Sequence, residues 1–232
     1  KRLEEAKRVA VLTGAGISKP SGIPTFRDAE GLWKNFNPLD YATPEAYARD
    51  PEKVWAWYAW RIQKVREAKP NPAHYALVEL ERRILSRGGS FLLVTQNVDG
   101  LHEAAGSSPE RIVEIHGTLQ QVVCMDCGER APMERALARV RAGEEDPPCR
   151  SCGGILKSAT ISFGQNLVTE DLMRCERVAQ ECDLLLAVGS TLAVYPVAGV
   201  VPIARQSGAR IAIVNGAPTE MDHLADAVLR GS

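Results

Sequence analysis

Four cysteines have the spacing of a metal site. Cys124 and Cys127 form one Cys-x-x-Cys pair, Cys149 and Cys152 form another, and 21 residues separate the two pairs. Two such pairs at this separation are typical of tetrahedral zinc bound by thiolates. Because four thiolates leave no coordination position open for water or substrate, we expect one structural zinc ion. A pair of redox-active dithiols is the alternative interpretation.

Two segments with chemical potential directly follow apolar runs. Residues 14–18 read Gly-Ala-Gly-Ile-Ser, and glycines at the end of a buried strand let the backbone approach a pyrophosphate. A tight turn between a strand and a helix is the other interpretation. Residues 95–99 read Thr-Gln-Asn-Val-Asp and offer hydrogen bonds to ribose hydroxyls and a carboxamide. They could equally form an Asx-type cap for a helix that starts at Gly100.

A constrained loop and one histidine complete the candidate chemistry. Phe26 and Arg27 are adjacent in a loop with Gly22 and Pro24; the loop would clamp a cofactor, or it is a surface loop with an ion-paired arginine. His116 ends the apolar run at 112–116, and an imidazole titrates near neutrality, which suits proton transfer. A structural histidine is the alternative there. Helix-start, packing or tail positions are expected for the remaining histidines, His74, His102 and His223.

Short strands and helices must position these groups. Apolar runs at 8–13, 91–95, 184–188 and 211–214 predict strands that are buried on both faces. Helices are predicted at roughly 44–68, 73–87, 170–182 and 196–207. Thr43 and Pro44 supply an N-cap and a first-turn proline. The alternation predicts an α/β fold, a Rossmann-like doubly wound parallel sheet with a smaller domain made of a zinc ribbon and a helical insertion.

The domain boundaries follow from the two segments that interrupt this alternation. Residues 30–84 have helical patterns without a strand, and residues 119–157 contain the paired cysteines. We expect these two insertions to form the small domain. The discontinuous Rossmann-like domain would then consist of residues 1–29, 85–118 and 158–232.

The composition argues against several classes of partner. The 232 residues include 28 Lys and Arg and 29 Asp and Glu, a formal net charge of −1, so direct nucleic-acid binding is not expected. No apolar run reaches the roughly 18 residues that a membrane span needs. The charged first residues lack the apolar stretch of a signal peptide. With metal-bound thiols, these features predict a cytoplasmic protein.

Taken together, the motifs resemble the sirtuins, the NAD-dependent protein deacylases. GAGIS, GIPTFR, TQNVD, an isolated His-Gly and the paired Cys-x-x-Cys occur in the order and approximate spacing of that family. Residues 189–191 resemble its Gly-Thr-Ser turn with two residues exchanged, and residues 214–216 resemble its adenosine-ribose segment. The resemblance covers practically the whole chain.

The resemblance implies a role for each matching residue. The phosphates would be cradled by Gly14, Ala15, Gly16, Ser18, Gly189, Ser190 and Thr191. The nicotinamide and its ribose would be covered by Ile23, Phe26 and Arg27. Ribose would be held by Gln96 and Asn97, the nicotinamide carboxamide by Asp99, and the adenosine ribose by Asn215 and Gly216. His116 would be the general base.

The resemblance also implies the reaction. NAD would be the co-substrate, acylated-lysine proteins or peptides the substrates, and free lysine, nicotinamide and O-acyl-ADP-ribose the products. Two other functions stay open, namely mono-ADP-ribosylation of a protein and NAD sensing by a zinc-ribbon binding module without turnover. A hydride-transferring dehydrogenase is disfavoured because its fingerprint is missing and the zinc site is closed.

Tyr58 and Arg61 point to the acyl group. They are three residues apart on a predicted helix and therefore share one face. A phenol and a guanidinium in an apolar pocket bind a carboxylate well. The pair resembles the Tyr-x-x-Arg of the sirtuin branch that removes succinyl and malonyl groups, and Ala29 resembles the small residue that widens the acyl pocket there. An amphipathic helix with an ordinary surface ion pair is the alternative.

The segment 157–165 departs from the family pattern. The family usually has Arg-Pro before Phe-Gly-Glu, whereas this chain has Lys157-Ser158 and then Phe163, Gly164 and a glutamine. That strand normally pairs with the substrate backbone, so Phe163 and Gly164 are expected to bind substrate, with a changed preference for sequence around the lysine. The family often continues to an adenine contact and a final helix, so an incomplete adenine pocket is expected within the printed sequence.

Overall fold

Six parallel strands form the main sheet of the protein. The computed structural model describes residues 5–25, 31, 34 and 36–231. The strands of this sheet are β1 (Arg8–Thr13), β2 (Ser90–Thr95), β3 (Ile112–Glu114), β7 (Leu184–Val188), β8 (Arg210–Val214) and β9 (Ala227–Leu229). Their order is β3-β2-β1-β7-β8-β9, and each strand is parallel to its neighbours.

Strand β1 is the point at which the strand order reverses. Thr13, its last residue, pairs with Thr95 of β2 on one side and with Val188 of β7 on the other. The chain therefore leaves the carboxyl ends of three neighbouring strands at the same level. Ligands bind at such switch points in open α/β sheets.

The two faces of the sheet are covered by different helices. Residues along β1 alternate between the faces, as the period of a strand requires. Val11 packs in a cluster with Ile84 of α3 (Pro72–Ser86). Leu12 packs in a second cluster with Cys175 of α6 (Thr169–Glu181) and Ala204 of α7 (Val200–Gln206). These helices on both faces confirm the predicted doubly wound α/β fold.

A smaller lobe combines an antiparallel sheet with helices. Its strands are β4 (Gly117–Cys124), β5 (Arg130–Pro132) and β6 (Leu156–Thr160), in the order β5-β4-β6. Its helices are α1 (Pro44–Arg49), α2 (Pro51–Glu67) and α5 (Met133–Arg141). Trp55 of α2 is fully buried in the same apolar cluster as Leu119 of β4. Trp55 Nε1 donates to the Tyr47 hydroxyl, which in turn donates to Asp146 Oδ1 at 2.5 Å.

The structure refines two details of the predicted elements. The helix predicted at 44–68 begins as expected, with the Thr43 hydroxyl accepting from Ala46 N, but it is two helices. Asp50 adopts an extended φ of −154° and caps α2 by accepting from Lys53 N at 3.0 Å. The strand before His116 ends at Glu114, so His116 lies in the turn between β3 and β4.

Helix α3 differs from the predicted division of the chain. The sequence assigns residues up to 84 to the helical insertion, yet α3 packs on the large sheet through Leu77 and Ile84. The short helix α4 (Leu101–Ala105) follows β2. In the part of the chain that the structure describes, every helix is too short or too polar to span a membrane.

Candidate active site

Glycine turns at the ends of β1 and β7 contact each other. Gly16 N donates to Gly189 O at 2.8 Å, and Gly14 N donates to Val188 O at 3.2 Å. A Cβ atom on Gly16 would lie 2.8 Å from Gly189 O, and one on Gly189, whose φ is +64°, would lie 2.2 Å from Ile17 N. Glycine at these positions therefore lets the two turns pack directly against each other. Gly14, Gly16 and Gly189 also line the large cleft, where such turns are suited to a pyrophosphate.

The polar residues after β2 are fixed against these turns. Asn97 Nδ2 donates to Gly14 O and to Ser18 Oγ, both at 3.1 Å. Ser18 Oγ donates to Asp99 Oδ2 at 2.7 Å, and Gln96 Nε2 donates to Ser190 Oγ at 2.9 Å. Residues predicted from three separate motifs therefore form one hydrogen-bonded group.

Asp99 also forms an Asx-type turn, which was the alternative interpretation of residues 95–99. Its Oδ1 accepts from Leu101 N at 2.9 Å, at the start of α4. Its other oxygen faces Ser18 in a small pocket of about 30 Å³ that Ile23, Arg61 and Leu119 help to enclose. An Asx turn before α4 and a place in the pocket are thus compatible in one carboxylate.

A large cleft of about 1690 Å³ runs along the strand ends and beneath the small lobe. Many predicted site residues line it. They are Gly14, Ala15, Gly16, Tyr58, Arg61, Gln96, Asn97, His116, Phe163, Gly164, Gly189, Ser190, Thr191, Asn215 and Gly216. Ser18, Ile23 and Asp99 line the adjoining small pocket. Phe26, Arg27 and Ala29 lie outside the described residues.

His116 is anchored in the middle of this cleft. Its Nδ1 lies 3.1 Å from the carbonyl oxygen of Gln96, and a carbonyl can only accept, so Nδ1 carries the proton. Nε2 is then the basic nitrogen. Burial lowers the pKa of His116, and the Gln96 carbonyl acts in the opposite direction. The imidazole is therefore a neutral base at pH 7.

Trp57 and Tyr58 of α2 form an aromatic wall of the cleft. This wall includes the phenol predicted for the acyl group, and the predicted guanidinium, that of Arg61, lies beside it. Tyr58 is only 6% exposed, and burial raises its pKa to about 12, so the phenol keeps its proton and can donate. Arg61 Cζ lies 5.8 Å from the centroid of the Trp57 ring. Burial lowers the pKa of Arg61 to about 10, while Tyr58 and Asp99 act to raise it. Arg61 therefore stays cationic at neutral pH.

The cleft has a positive lining. The charged side chains among its described lining residues are Lys19, Arg61 and Arg230, and no Asp or Glu occurs among them. Arg230 is paired with Asp222, which is not among the lining residues, and Arg61 lies near Asp99 of the adjoining pocket. The groups that line the cleft itself still have an excess of positive charge, which favours anionic ligands. The lining thus suits a pyrophosphate, and Arg61 extends this preference to the end of the cleft where Tyr58 lies.

The four predicted cysteines converge in the small lobe, away from the residues that line the cleft. All four Sγ atoms lie within 4.8 Å of one another. Cys124 Sγ is 3.5 Å from Cys152 Sγ, and Cys127 Sγ is 3.8 Å from Cys149 Sγ. Tetrahedral zinc with bonds of about 2.3 Å places its sulfurs about 3.8 Å apart. The donor set and its spacing therefore fit one zinc ion held by these four thiolates.

The sequence does not single out several residues that shape the site. Tyr41, Lys19 and Arg230 line the cleft but belong to no motif with a chemical signature. Thr13 is buried beneath it. Its position as the last residue of a buried strand, which it shares with Thr95 of the 95–99 motif, was the signal that could have revealed it.

Comparison with known proteins agrees with this arrangement. A model of the Sir2 family matches residues 14–196. The chain is 64% identical over 230 residues to a Thermus thermophilus protein called NAD-dependent protein deacylase, covering 99% of this chain and 87% of the relative.

Solved structures show the same likeness. A Sir2 homologue–NAD complex superimposes with a TM-score of 0.87 at 41% identity, over 100% of this chain and 86% of the other. A Sir2 complex with a deacetylated p53 peptide and 3'-O-acetyl-ADP-ribose gives 0.88 at 30% identity, over 99% and 90%. With this extent of similarity in sequence and fold, the chain belongs to the Sir2 family.

Proposed function

We propose that this protein removes acyl groups from protein lysines with NAD as co-substrate. The observation that carries the proposal is the position of His116. Its basic Nε2 lies in one continuous cleft with the polar strand-end residues and with the aromatic wall at Tyr58. The names of the relatives, which are NAD-dependent deacylases and deacetylases, support the same reaction.

We assign the cofactor contacts from the family resemblance, for residues that line the cleft or the adjoining pocket. The turns at Gly14–Gly16 and at Ser190 would hold the pyrophosphate, and Asn215 the adenosine ribose. Gln96 and Asn97 would hold the second ribose. The Asp99 carboxylate would accept from the carboxamide of nicotinamide. When bound, NAD supplies an ADP-ribosyl group with nicotinamide as the leaving group.

Two functions fall to side chains around the reacting centre. His116 Nε2 would accept the proton of a ribose hydroxyl, which makes that oxygen nucleophilic. Phe163, which is 44% exposed, and Gly164 lie on the cleft lining and would receive the peptide that carries the lysine. In the predicted domain division, the Rossmann-like domain would supply the cofactor contacts and the small lobe would supply the aromatic wall for the acyl group.

We further propose that acidic acyl groups such as succinyl and malonyl are substrates besides acetyl. Tyr58, a protonated phenol, and Arg61, a charged guanidinium, both line the cleft and together offer donors that suit a carboxylate. A neutral acetyl group offers these two side chains no negative charge. Substitutions of Arg61 and Tyr58, with succinyl- and acetyl-lysine peptides compared, test this preference.

The test of the main proposal follows the fate of the acyl group. Wild-type protein is incubated with NAD and acetyl- or succinyl-lysine peptide, and the products are separated by mass. We expect free lysine peptide and O-acyl-ADP-ribose, and His116→Ala should lose both while still binding NAD in calorimetry. His223→Ala, at an exposed position, is the matched control and should retain activity. ADP-ribose attached to protein, or NAD binding without turnover, would support the alternatives instead.

A further inference from the structure

Seven residues behind the candidate nicotinamide pocket close a ring of contacts. The ring starts at His102, which is 3% exposed and whose Nε2 lies 3.0 Å from Thr13 Oγ1. Thr13 Oγ1 donates to Thr95 Oγ1 at 2.8 Å. Thr95 Oγ1 also accepts from Asn97 N at 3.1 Å.

The remaining contacts return the ring to its start. Asn97 Nδ2 donates to Ser18 Oγ, Ser18 Oγ donates to Asp99 Oδ2, and Asp99 Oδ1 accepts from Leu101 N. Leu101 is joined to His102 by a peptide bond. Asn97, assigned to the ribose, and Asp99, assigned to the carboxamide of nicotinamide, are therefore held through Ser18 on one side of a ring in which His102 occupies the other.

The hydrogen-bond pattern favours one tautomer of His102. With the Thr13 hydroxyl donating to Thr95, Thr13 Oγ1 accepts from His102 Nε2–H. Nδ1 is then a bare acceptor. Burial lowers the pKa of His102 to about 3, which is consistent with a neutral ring.

His74 and His102 each have one ring nitrogen without a partner among the described residues, a donor in His74 and an acceptor in His102. Its Nδ1 accepts from Asn71 N at 3.2 Å, so its Nε2 carries the proton. The two rings are 4.9 Å apart at their centroids. His74 Nε2, a donor, and His102 Nδ1, an acceptor, both lack a hydrogen-bond partner among the residues that the structure describes. Their complementary roles would keep His102 in the tautomer that donates to Thr13.

We propose that His102 is a positioning residue for the nicotinamide pocket, acting through Thr13 and Thr95 on Asn97. The proposal rests on the function proposed above. Removing the imidazole leaves the buried Thr13 hydroxyl without its donor, and the nearest way to satisfy it is to turn the Thr13–Thr95 pair. That rotation weakens the bond that fixes Asn97 N, and with it the orientation of Asn97 toward Ser18.

The test compares paired substitutions in the full chain. His102→Phe keeps a flat ring but removes the donor, whereas His102→Gln keeps an N–H near the position of Nε2. Thr13→Val and Thr13→Ser form a second pair that does not alter the histidine. Ser107→Ala is the matched control, because Ser107 is 4% exposed and lies just after α4, but its hydroxyl has no partner among the described residues.

The readouts are the KM for NAD, the inhibition constant of nicotinamide and the KM for acyl peptide. Loss of one buried hydrogen bond predicts that His102→Phe and Thr13→Val raise the first two constants about five- to tenfold. The peptide KM should stay within about twofold. His102→Gln, Thr13→Ser and Ser107→Ala should keep all three within about twofold of wild type.

Each other outcome has a defined meaning. Unchanged NAD and nicotinamide constants in Thr13→Val, or an equal rise of all three constants, would overturn the positioning role even if His102→Phe does not fold. Failure of both His102→Gln and Thr13→Ser to restore the constants would do the same. A wild-type protein that removes no acyl group with NAD would instead overturn the proposed function.

Discussion

The Nδ1 atom of His116 lies 3.1 Å from the main-chain oxygen of Gln96, while the side chain of the same glutamine reaches Ser190. One residue thus holds the base by its backbone and the phosphate turn by its side chain. The orientation of the imidazole is thereby tied to the frame that we assign to NAD.

The first prediction concerns the pH dependence of acyl removal. The neutral form of His116 is the active base, and burial lowers its pKa, so this form persists to lower pH than for a free imidazole. We expect the acidic limb of kcat/KM to have its midpoint below about 6.5. His116→Ala should lower the rate about 10²- to 10⁴-fold and abolish this limb. A midpoint above 7 would contradict the assignment.

The second prediction concerns the acyl group. Arg61→Met should lower kcat/KM for succinyl-lysine peptide about 10- to 100-fold, because a charge-assisted bond is lost. The value for acetyl-lysine peptide should change less than about threefold. Tyr58→Phe should act in the same direction with a smaller effect. Arg66→Met removes the same charge from an exposed position of α2 and should affect neither substrate. Equal losses on both peptides in Arg61→Met would count against the acidic pocket.

The third prediction concerns the metal. Purified protein should contain one zinc per chain, and Cys127→Ser should contain almost none. The melting temperature should fall by roughly 10 °C, as expected for a loss of about 3–4 kcal/mol in a chain of this size. Cys182→Ala is the control, since this buried cysteine lies outside the cluster, and it should keep its zinc. Full zinc occupancy in Cys127→Ser would exclude that thiolate as a ligand.

The fourth prediction concerns Glu114, at the end of β3. Burial, followed by the charge of Glu103, raises the pKa of Glu114 to about 7. Because the folded pKa lies above the unfolded value, the stability present below about pH 4.5 is lost as the pH rises through 7. Glu114→Gln should therefore raise the free energy of unfolding by about 1–3 kcal/mol at pH 8 and little at pH 4.

Denaturant titrations at both pH values test this expectation. Glu145→Gln, at an exposed position, should give the wild-type pH dependence. A Glu114→Gln protein that is less stable than wild type at pH 8 would show that the ionised carboxylate has a favourable partner.

The fifth prediction separates backbone strain from collision. Gly189 and Gly208 both have positive φ, but only at Gly189 would a Cβ meet backbone, 2.2 Å from Ile17 N. Gly208→Ala should cost about 1 kcal/mol, the usual cost of a left-handed alanine. Gly189→Ala should cost clearly more, about 3 kcal/mol or above, and should weaken NAD binding. Similar unfolding free energies for the two variants would contradict the close contact between the glycine turns at the ends of β1 and β7.

Local patterns were sufficient to predict the sheet, the cysteine cluster and most of the cleft. The runs that form β1, β2, β7 and β8 are apolar at successive positions because both faces of the sheet are covered. The paired cysteines have a spacing that few other structures require. Both signals lie in residues that are close in sequence, so they could be recognised without knowledge of the tertiary packing.

Other features depend on contacts between distant segments. The break at Asp50 is an exception, because an N-cap residue followed by Pro51 is a local signal that the prediction overlooked. The packing of α3 on the large sheet depends on which apolar face meets which partner. His102 reads as a packing histidine in sequence, and its link to Thr13 appears only when β1 and α4 are brought together.

The parallel sheet and the small lobe contribute to the cleft in different ways. The strand ends provide the groups that we assign to the dinucleotide, and their glycine turns tolerate almost no substitution. The aromatic wall with Tyr58 and Arg61 belongs to a helix that rests on the cysteine-bearing sheet. Substitutions in that helix can therefore change which acyl group is accepted without weakening the binding of NAD. A scaffold divided in this way lets selection revise the substrate while the chemistry stays the same.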